Sequence, residues 1–326
     1  MAESVLRMLG HAPPPRLFTV TEAQFARIPG TFAPGQQAVS ARGTEFEHIT
    51  TINNLGYRGP DFELAKAPAE FRVLFVGDSF TWGHNVQDGE TTPARLEAIL
   101  RARCGPALVA NAGFSGTSIL AHQAIISRGL AVDPDLVVLM YHENDLDELI
   151  HTRMWEQLAA NRHAKSRFPL SVVYPVARTS ALWDLGLNAR RILMSRGADP
   201  GRSSAVPEGL TARVEAARRE YRDRLQAVRD ELGARGTPFL FVMYPHPESV
   251  ATGSGGRDYD WIRHTAGELD VPTLDLLGPL MASPLRVEEA YLVPLDYHPS
   301  SAGHAFAAEV IAARLDAVVD SGACAM

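Results

Sequence analysis

Positive charge is in short supply in this chain: 31 Lys and Arg stand against 38 Asp and Glu, for a formal net charge of −7 and a pI near 5.9. Sequence-independent nucleic-acid binding needs clustered cations that displace counterions, so that class of function is excluded. The arginines at Arg190 and Arg191 and at Arg218 and Arg219 read instead as solvated helix faces. Cysteine is nearly absent, with only Cys104 and Cys324 and no CxxC pair, so neither a disulfide framework nor a thiolate zinc site is implied. Long apolar runs are also missing; even "LVVLM" is bounded by Asp135 and His142, far short of a membrane span. The N-terminus "MAESVLRMLGHAPPPRLF" lacks the basic and apolar regions of a secretory signal. A soluble, cytoplasmic protein with no nucleic-acid or membrane partner is the expectation. The histidines His84, His122, His142 and His246 are scattered, with no HExxH, so no metal and no cofactor are expected. The glycines of "TGSGGRDY" fit neither a dinucleotide nor a P-loop spacing and read as a mobile loop near a pocket mouth.

What is present is an ordinary globular composition, 46% hydrophobic and 21% charged over 326 residues, enough for a sizeable core. Residues 1–70 are rich in Pro and Gly, with β-leaning pieces "QQAVSA" and "EFEHITTIN", and read as an extension packed on a core. From Phe71 the rhythm changes. The apolar runs "FRVLFV", "ALVANA", "DLVVLMY", "PFLFVMY" and the weaker "PTLDL" alternate with helical patterns, the longest over about 208–235. There Leu210, Val214, Ala217, Tyr221, Leu225, Val228 and Leu232 recur at spacings of three and four, forming one apolar stripe. Nearly continuous apolar strands alternating with helices predict an α/β fold, a doubly wound parallel sheet of about five strands covered on both faces. Residues 146–206 interrupt the pattern. They carry Trp155, Phe168 and Trp183 and read as a helical insertion with those aromatics as its core, or as a cap shaping a pocket.

In open α/β sheets ligands bind at the carboxyl ends of the strands, which directs attention to the residues following each apolar run. The first run ends in "VGDSFTWG". A structural reading makes Gly77 the source of freedom for a tight turn and Asp78 a helix cap; a chemical reading makes Ser79 a nucleophile held on that turn. The second run is followed by "NAGFSGTS" and the third by "HEND", while "LDYHPSSAGH" precedes the last helical pattern. A serine needs a base to take its proton and a carboxylate to orient that base, and Asp296 and His298, two apart, share one face of extended chain. The backbone N–H of Ser79, that of Gly116 and the side-chain amide of Asn144 would supply oxyanion donors. Gly113 competes with Gly116 for that role, Asn111 reads either as a bridge between loops or as part of the active-site network, and His304 as a structural residue packed on the sheet in preference to a second base.

These blocks, in this order, resemble the GDSL/SGNH hydrolase family over roughly residues 71–315. The resemblance implies a three-layer αβα sandwich with a flavodoxin-like parallel sheet over residues 71–326. It implies Ser79 as nucleophile, His298 as base paired with Asp296, and Ser79, Gly116 and Asn144 as the oxyanion hole. The spacing from Asn111 in "NAGFSG" favours Gly116 over Gly113. Two departures stand out. The family's DxxH is here Asp296-Tyr297-His298, one residue shorter, with a Ser79–His298 dyad oriented by a backbone carbonyl as the fallback. In "HEND" the family glycine is His142, which adds bulk beside the oxyanion hole. The function implied is a serine hydrolase cleaving a carboxylic ester of a small molecule or acylated metabolite through an acyl-enzyme. Acyl transfer to an alcohol or amine is the alternative within the same chemistry, and a non-catalytic ligand-binding module the alternative outside it.

Overall fold

The structure, a computed structural model, describes residues 2–8, 28–40, 47–152, 167–177, 180–183, 185–186, 210–294 and 296–315. Two short strands, β1 (Gln37–Ser40) and β2 (His48–Thr51), pair antiparallel ahead of the main sheet. The main sheet comprises β3 (Phe71–Gly77), β4 (Ala107–Gly113), β5 (Leu136–Tyr141), β6 (Phe239–Met243) and β7 (Thr273–Asp275). Its order is β4-β3-β5-β6-β7 and every pairing is parallel. Counted from β3 in chain order this is 2-1-3-4-5, the flavodoxin-like order, whose switch point lies between β3 and β5.

The helices are α1 (Ala2–Met8), α2 (Ser79–Trp82), α3 (Thr92–Cys104), α4 (Ile119–Gly129), α5 (Asn144–Asp147) and α6 (Leu170–Ala177). After them come α7 (Leu210–Arg235), α8 (Pro247–Thr252), α9 (Gly256–Glu268), α10 (Leu277–Ala282), α11 (Val287–Ala290) and α12 (Ser301–Leu315). Every residue of β3, β4, β5 and β6 is buried, which is why these strands are apolar throughout and do not alternate. Successive side chains still point to opposite faces. Leu74, Val76, Val137, Leu139 and Phe241 pack with α4, α7 and α9, whereas Val73, Phe75, Val138, Met140 and Val242 pack with α3 and α12. The result is the three-layer αβα sandwich. On α7 the expected stripe is real: Ala217, Tyr221, Leu225, Val228 and Leu232 are buried, with Val214 partly so. At the sheet edge β7 is only three residues long and half-buried, matching its weak apolar signal.

The segment ahead of β3 contributes to the same core. Phe32, Ile52 and Tyr57 are buried with Trp82 and Phe114, the ring of Phe32 lying 4.8 Å from Trp82 and 5.2 Å from Phe114. Arg58 anchors it: the guanidinium, almost wholly buried, donates to the carbonyls of Trp82, Gly83 and Val86 at 2.6 Å each and to Asp88 at 2.8 Å.

Two expectations need correction. The "TGSGG" glycines form only a short connection between helices: Gly253 is the left-handed C-cap of α8 at φ 73°, and the next helix, α9, begins at Gly256. In the 146–206 insertion, Leu146, Leu149 and Ile150 join the core, but Phe168 and Trp183 are exposed, so these two aromatics are not its interior. Trp155 and most of the rest of that insertion lie outside the described residues.

Candidate active site

At the end of β3 the chain enters α2 through Gly77 and Asp78. Gly77 is required by space and not, as the sequence reading had it, by backbone freedom: a Cβ there would lie 2.2 Å from Thr81 Oγ1 and 2.8 Å from the Met140 carbonyl oxygen. The positive φ falls instead at Gly83, the left-handed C-cap of α2 at φ 84°. Asp78 caps the helix, its Oδ1 accepting the Phe80 N–H at 2.9 Å. Burial pushes the Asp78 carboxyl up, opposed by the Phe80 N–H and by a hydrogen bond from the Asn144 side chain. Ser79 is the first residue of α2, where a backbone N–H has no acceptor within its own helix.

His298 reaches Ser79 from the loop between α11 and α12, its Nε2 standing 2.8 Å from Ser79 Oγ. Its Nδ1 bonds Asp296 Oδ1, and the same oxygen accepts the backbone N–H of His298 at 3.0 Å. This explains how the shortened spacing works. An aspartate that accepts the N–H two residues on forms an Asx-turn, which folds the carboxylate back over the residue that follows and brings it to the ring. The carboxylate's other oxygen accepts from Asn85 Nδ2 at 2.7 Å. No backbone carbonyl is needed to orient the ring. Burial raises the Asp296 carboxyl, but the two His298 donors outweigh it and hold the group below the usual carboxylate range.

On the other side of the switch point, Asn144 opens α5 directly after β5. Its Oδ1 lies 2.8 Å from His142 Nδ1, and its amide bonds Asp78. The two glycine candidates separate cleanly. Gly113 already donates its N–H to Asn111 Oδ1 at 3.0 Å, and a Cβ on it would come within 2.3 Å of the Trp82 nitrogen, so Gly113 serves packing. Gly116 sits in the following turn at φ 70°, a left-handed conformation that favours glycine. Asn111 does bridge loops: its carbonyl accepts from the Arg58 N–H at 3.2 Å. His304 is wholly buried and bonds Thr92 through Nδ1, 2.8 Å from its Oγ1 and 3.2 Å from its N–H, a structural contact between α12 and the start of α3.

The histidines scattered in sequence are not all scattered in space. His84, His142 and His246 gather round Tyr297 and His298: His84 lies 4.6 Å from the His298 ring, His142 6.0 Å and His246 5.5 Å from Tyr297. Burial lowers His84 to about 4 and His142 to about 3, so both rings are neutral near neutral pH. His122 stands apart, fully buried and 3.0 Å from Thr117 Oγ1. Among the described residues one group could hold a metal ion, His84, Asp296 and His298, with ligand atoms within 4.8 Å of one another. In it Asp296 and His298 are already bonded to each other and His298 to Ser79, an arrangement that moves a proton without a metal.

Sequence reasoning missed Asn85, which reaches Asp296 from immediately after α2, and the grip of Arg58 on the carbonyls around it. Neither sits at a telling spacing. The only signal was proximity to "GDSFTWG".

A serine at the end of β3, an amide at the end of β5 and an Asp–His pair before α12 meet at one edge of a flavodoxin-like sheet, and residues 75–306 match the GDSL-like Lipase/Acylhydrolase family. The chain belongs to that family. Membership makes it a serine esterase of the GDSL type. No curated protein matches the chain. Among solved structures it is similar to an acetylxylan esterase from Geobacillus stearothermophilus, at 16% identity over 76% of this chain and 94% of the other, with a TM-score of 0.45. It is also similar to a lipase/acylhydrolase from Enterococcus faecalis, at 14% identity over 75% of this chain and 95% of the other, with a TM-score of 0.44. Likenesses this distant say nothing about which ester this GDSL hydrolase takes. Among its described residues no helix is long and apolar enough to cross a membrane.

Proposed function

We propose that this GDSL hydrolase cleaves a carboxylic ester of a small molecule or acylated metabolite through an acyl-enzyme on Ser79. The observation that carries the reading is the continuous line Ser79 Oγ, His298 Nε2, His298 Nδ1, Asp296 Oδ1, whose first contact is 2.8 Å. His298 Nε2 takes the hydroxyl proton as Oγ attacks the ester carbonyl, and Asp296 stabilises the imidazolium that forms. The carbonyl oxygen becomes an oxyanion, facing donors from the Ser79 N–H, the Gly116 N–H and the Asn144 amide. Collapse of the tetrahedral intermediate breaks the ester C–O bond, and His298 returns its proton to the departing alcohol. Water then enters, gives its proton to the same nitrogen, attacks the acyl carbonyl and releases the acid with Ser79 restored.

Acyl transfer would follow the same first half, with an alcohol or amine in place of water. The feature that raised it, a cap at 146–206, lies mostly outside the described residues, so hydrolysis is the reading adopted. A binding module would need none of these contacts.

The test is intact-mass labelling with a fluorophosphonate beside turnover of a p-nitrophenyl ester panel. The expected result is one adduct on the wild type, lost in Ser79→Ala and His298→Ala, with free acid as the product. Full turnover by a folded Ser79→Ala variant would overturn the assignment.

A further inference from the structure

The glycine that the family places before the oxyanion asparagine is His142 in this chain, and the structure gives that ring a task. His142 opens the two-residue loop between β5 and α5, is 2% exposed, and lies flat on Phe80 with ring centroids 3.8 Å apart and planes 19° apart. Its Nδ1 is 2.8 Å from Asn144 Oδ1 and 3.4 Å from the Asn144 backbone nitrogen; the two contacts call for opposite tautomers, and the shorter one, to an oxygen that can only accept, puts the proton on Nδ1. The opposite end of the Asn144 amide faces the Asp78 carboxyl, which also accepts the Phe80 N–H through Oδ1.

An asparagine amide is nearly symmetric in shape, and its neighbours alone decide which end carries the oxygen. A carboxylate accepts, so Asp78 draws the NH₂ end toward itself. The oxygen then faces His142, and a neutral imidazole can answer it only with the proton on Nδ1. The tautomer follows: Nε2 is bare, and it is one of the buried atoms without a hydrogen-bond partner among the described residues. With one amide hydrogen on Asp78, the second is the only one left for the oxyanion. A flipped amide would point its oxygen at the developing negative charge.

We propose that His142 is a positioning residue that, by donating from Nδ1 to Asn144 Oδ1, locks the Asn144 amide with its NH₂ toward the oxyanion hole. It acts through Asn144 and does not touch the substrate. This rests on the esterase reading above, in which Asn144 is an oxyanion donor. The ring stack on Phe80 and the flanking Tyr297 and His246 rings hold the imidazole in place; removing the donor while keeping a ring there leaves Asp78 alone to hold the amide, which then turns more freely.

The experiment is a double-mutant cycle read on kcat and KM with a p-nitrophenyl ester. It uses the wild type, His142→Phe, Asn144→Ala and the double variant, with His142→Gly as a second probe that cannot overpack. Losing an oxyanion donor outright costs about 10²–10³ in kcat, so freeing it to turn is expected to cost about tenfold, with KM within about twofold of wild type. The decisive expectation is non-additivity: in the Asn144→Ala background neither His142 substitution lowers kcat further. Equal losses in both backgrounds, or an unchanged kcat in both His142 single variants, would overturn the proposal. A failure of the esterase reading looks different. It would appear as turnover surviving Ser79→Ala, or as Asn144→Ala losing nothing, whatever His142 does.

Discussion

Replacing Asp296 separates two things a triad carboxylate does, orienting the histidine and stabilising its charge, because the contacts of this aspartate are unequal. Oδ1 takes two donors, the His298 ring and the His298 backbone N–H at 3.0 Å, whereas among the described residues Oδ2 takes only Asn85 Nδ2. In Asp296→Asn the amide must put oxygen at one place and NH₂ at the other. The backbone N–H cannot turn away, so oxygen is favoured at the Oδ1 place; Asn85 can turn its own amide to present oxygen to the new NH₂. The tautomer of His298 therefore survives and only the charge is lost. A unit pair at 4 Å near a protein surface is worth about 4 kcal/mol, and because the carboxylate is partly exposed to screening water roughly half of that applies. About 2 kcal/mol is a loss of roughly 10²-fold in kcat. Asp296→Ala removes orientation as well, and the expected loss is about 10³–10⁴-fold, the scale seen when a triad histidine is left in the wrong tautomer. The assay is p-nitrophenyl ester turnover for both variants at fixed pH, with thermal melting to show both are folded. Asp296→Asn within about threefold of wild type would mean that the carboxylate charge contributes little. Asp296→Asn as inactive as Asp296→Ala would refute the locked-oxygen argument.

Asn85→Ala removes the donor that the described residues give to Asp296 Oδ2 and is expected to lower kcat by about tenfold with little change in KM, checked in the same assay. Arg58→Ala strips four hydrogen bonds from three carbonyls and Asp88 in a buried setting, and chemical denaturation is expected to show a loss of about 3–5 kcal/mol; a loss under about 1 kcal/mol would refute the anchoring role. Burial lowers His304 to about 3, so the folded chain keeps this ring neutral while the unfolded chain protonates it near the usual histidine range. Its stabilising contribution is thus full above that range and is lost as pH falls toward the folded value. At about 1.4 kcal/mol per pH unit, urea denaturation at pH 7 and pH 5 should show the wild type losing about 2 kcal/mol more than His304→Gln.

Some of this was settled by residue order alone. Strands buried on both faces must be apolar without alternation, so "FRVLFV" and "DLVVLMY" announced a covered parallel sheet, and the stripe on α7 announced the helix that covers it. Ser79, Gly116, Asn144, Asp296 and His298 stood out as candidates because open α/β sheets bind ligands at the carboxyl ends of their strands. What the sequence could not carry is whatever depends on distance between segments that are remote along the chain. Whether a one-residue-shorter Asp-x-His still aligns its ring was decided by an Asx-turn and by Asn85, 211 residues away. Gly113 and Gly116 are equivalent as letters, and only the Asn111 acceptor and the Trp82 backbone assign the first to packing. His142 read as bulk in sequence; the fold placed it between the Phe80 ring and the Asn144 oxygen. Short-range pattern encodes burial and secondary structure because these repeat with a fixed period, whereas a hydrogen bond between distant side chains exists only once the sheet has set their separation.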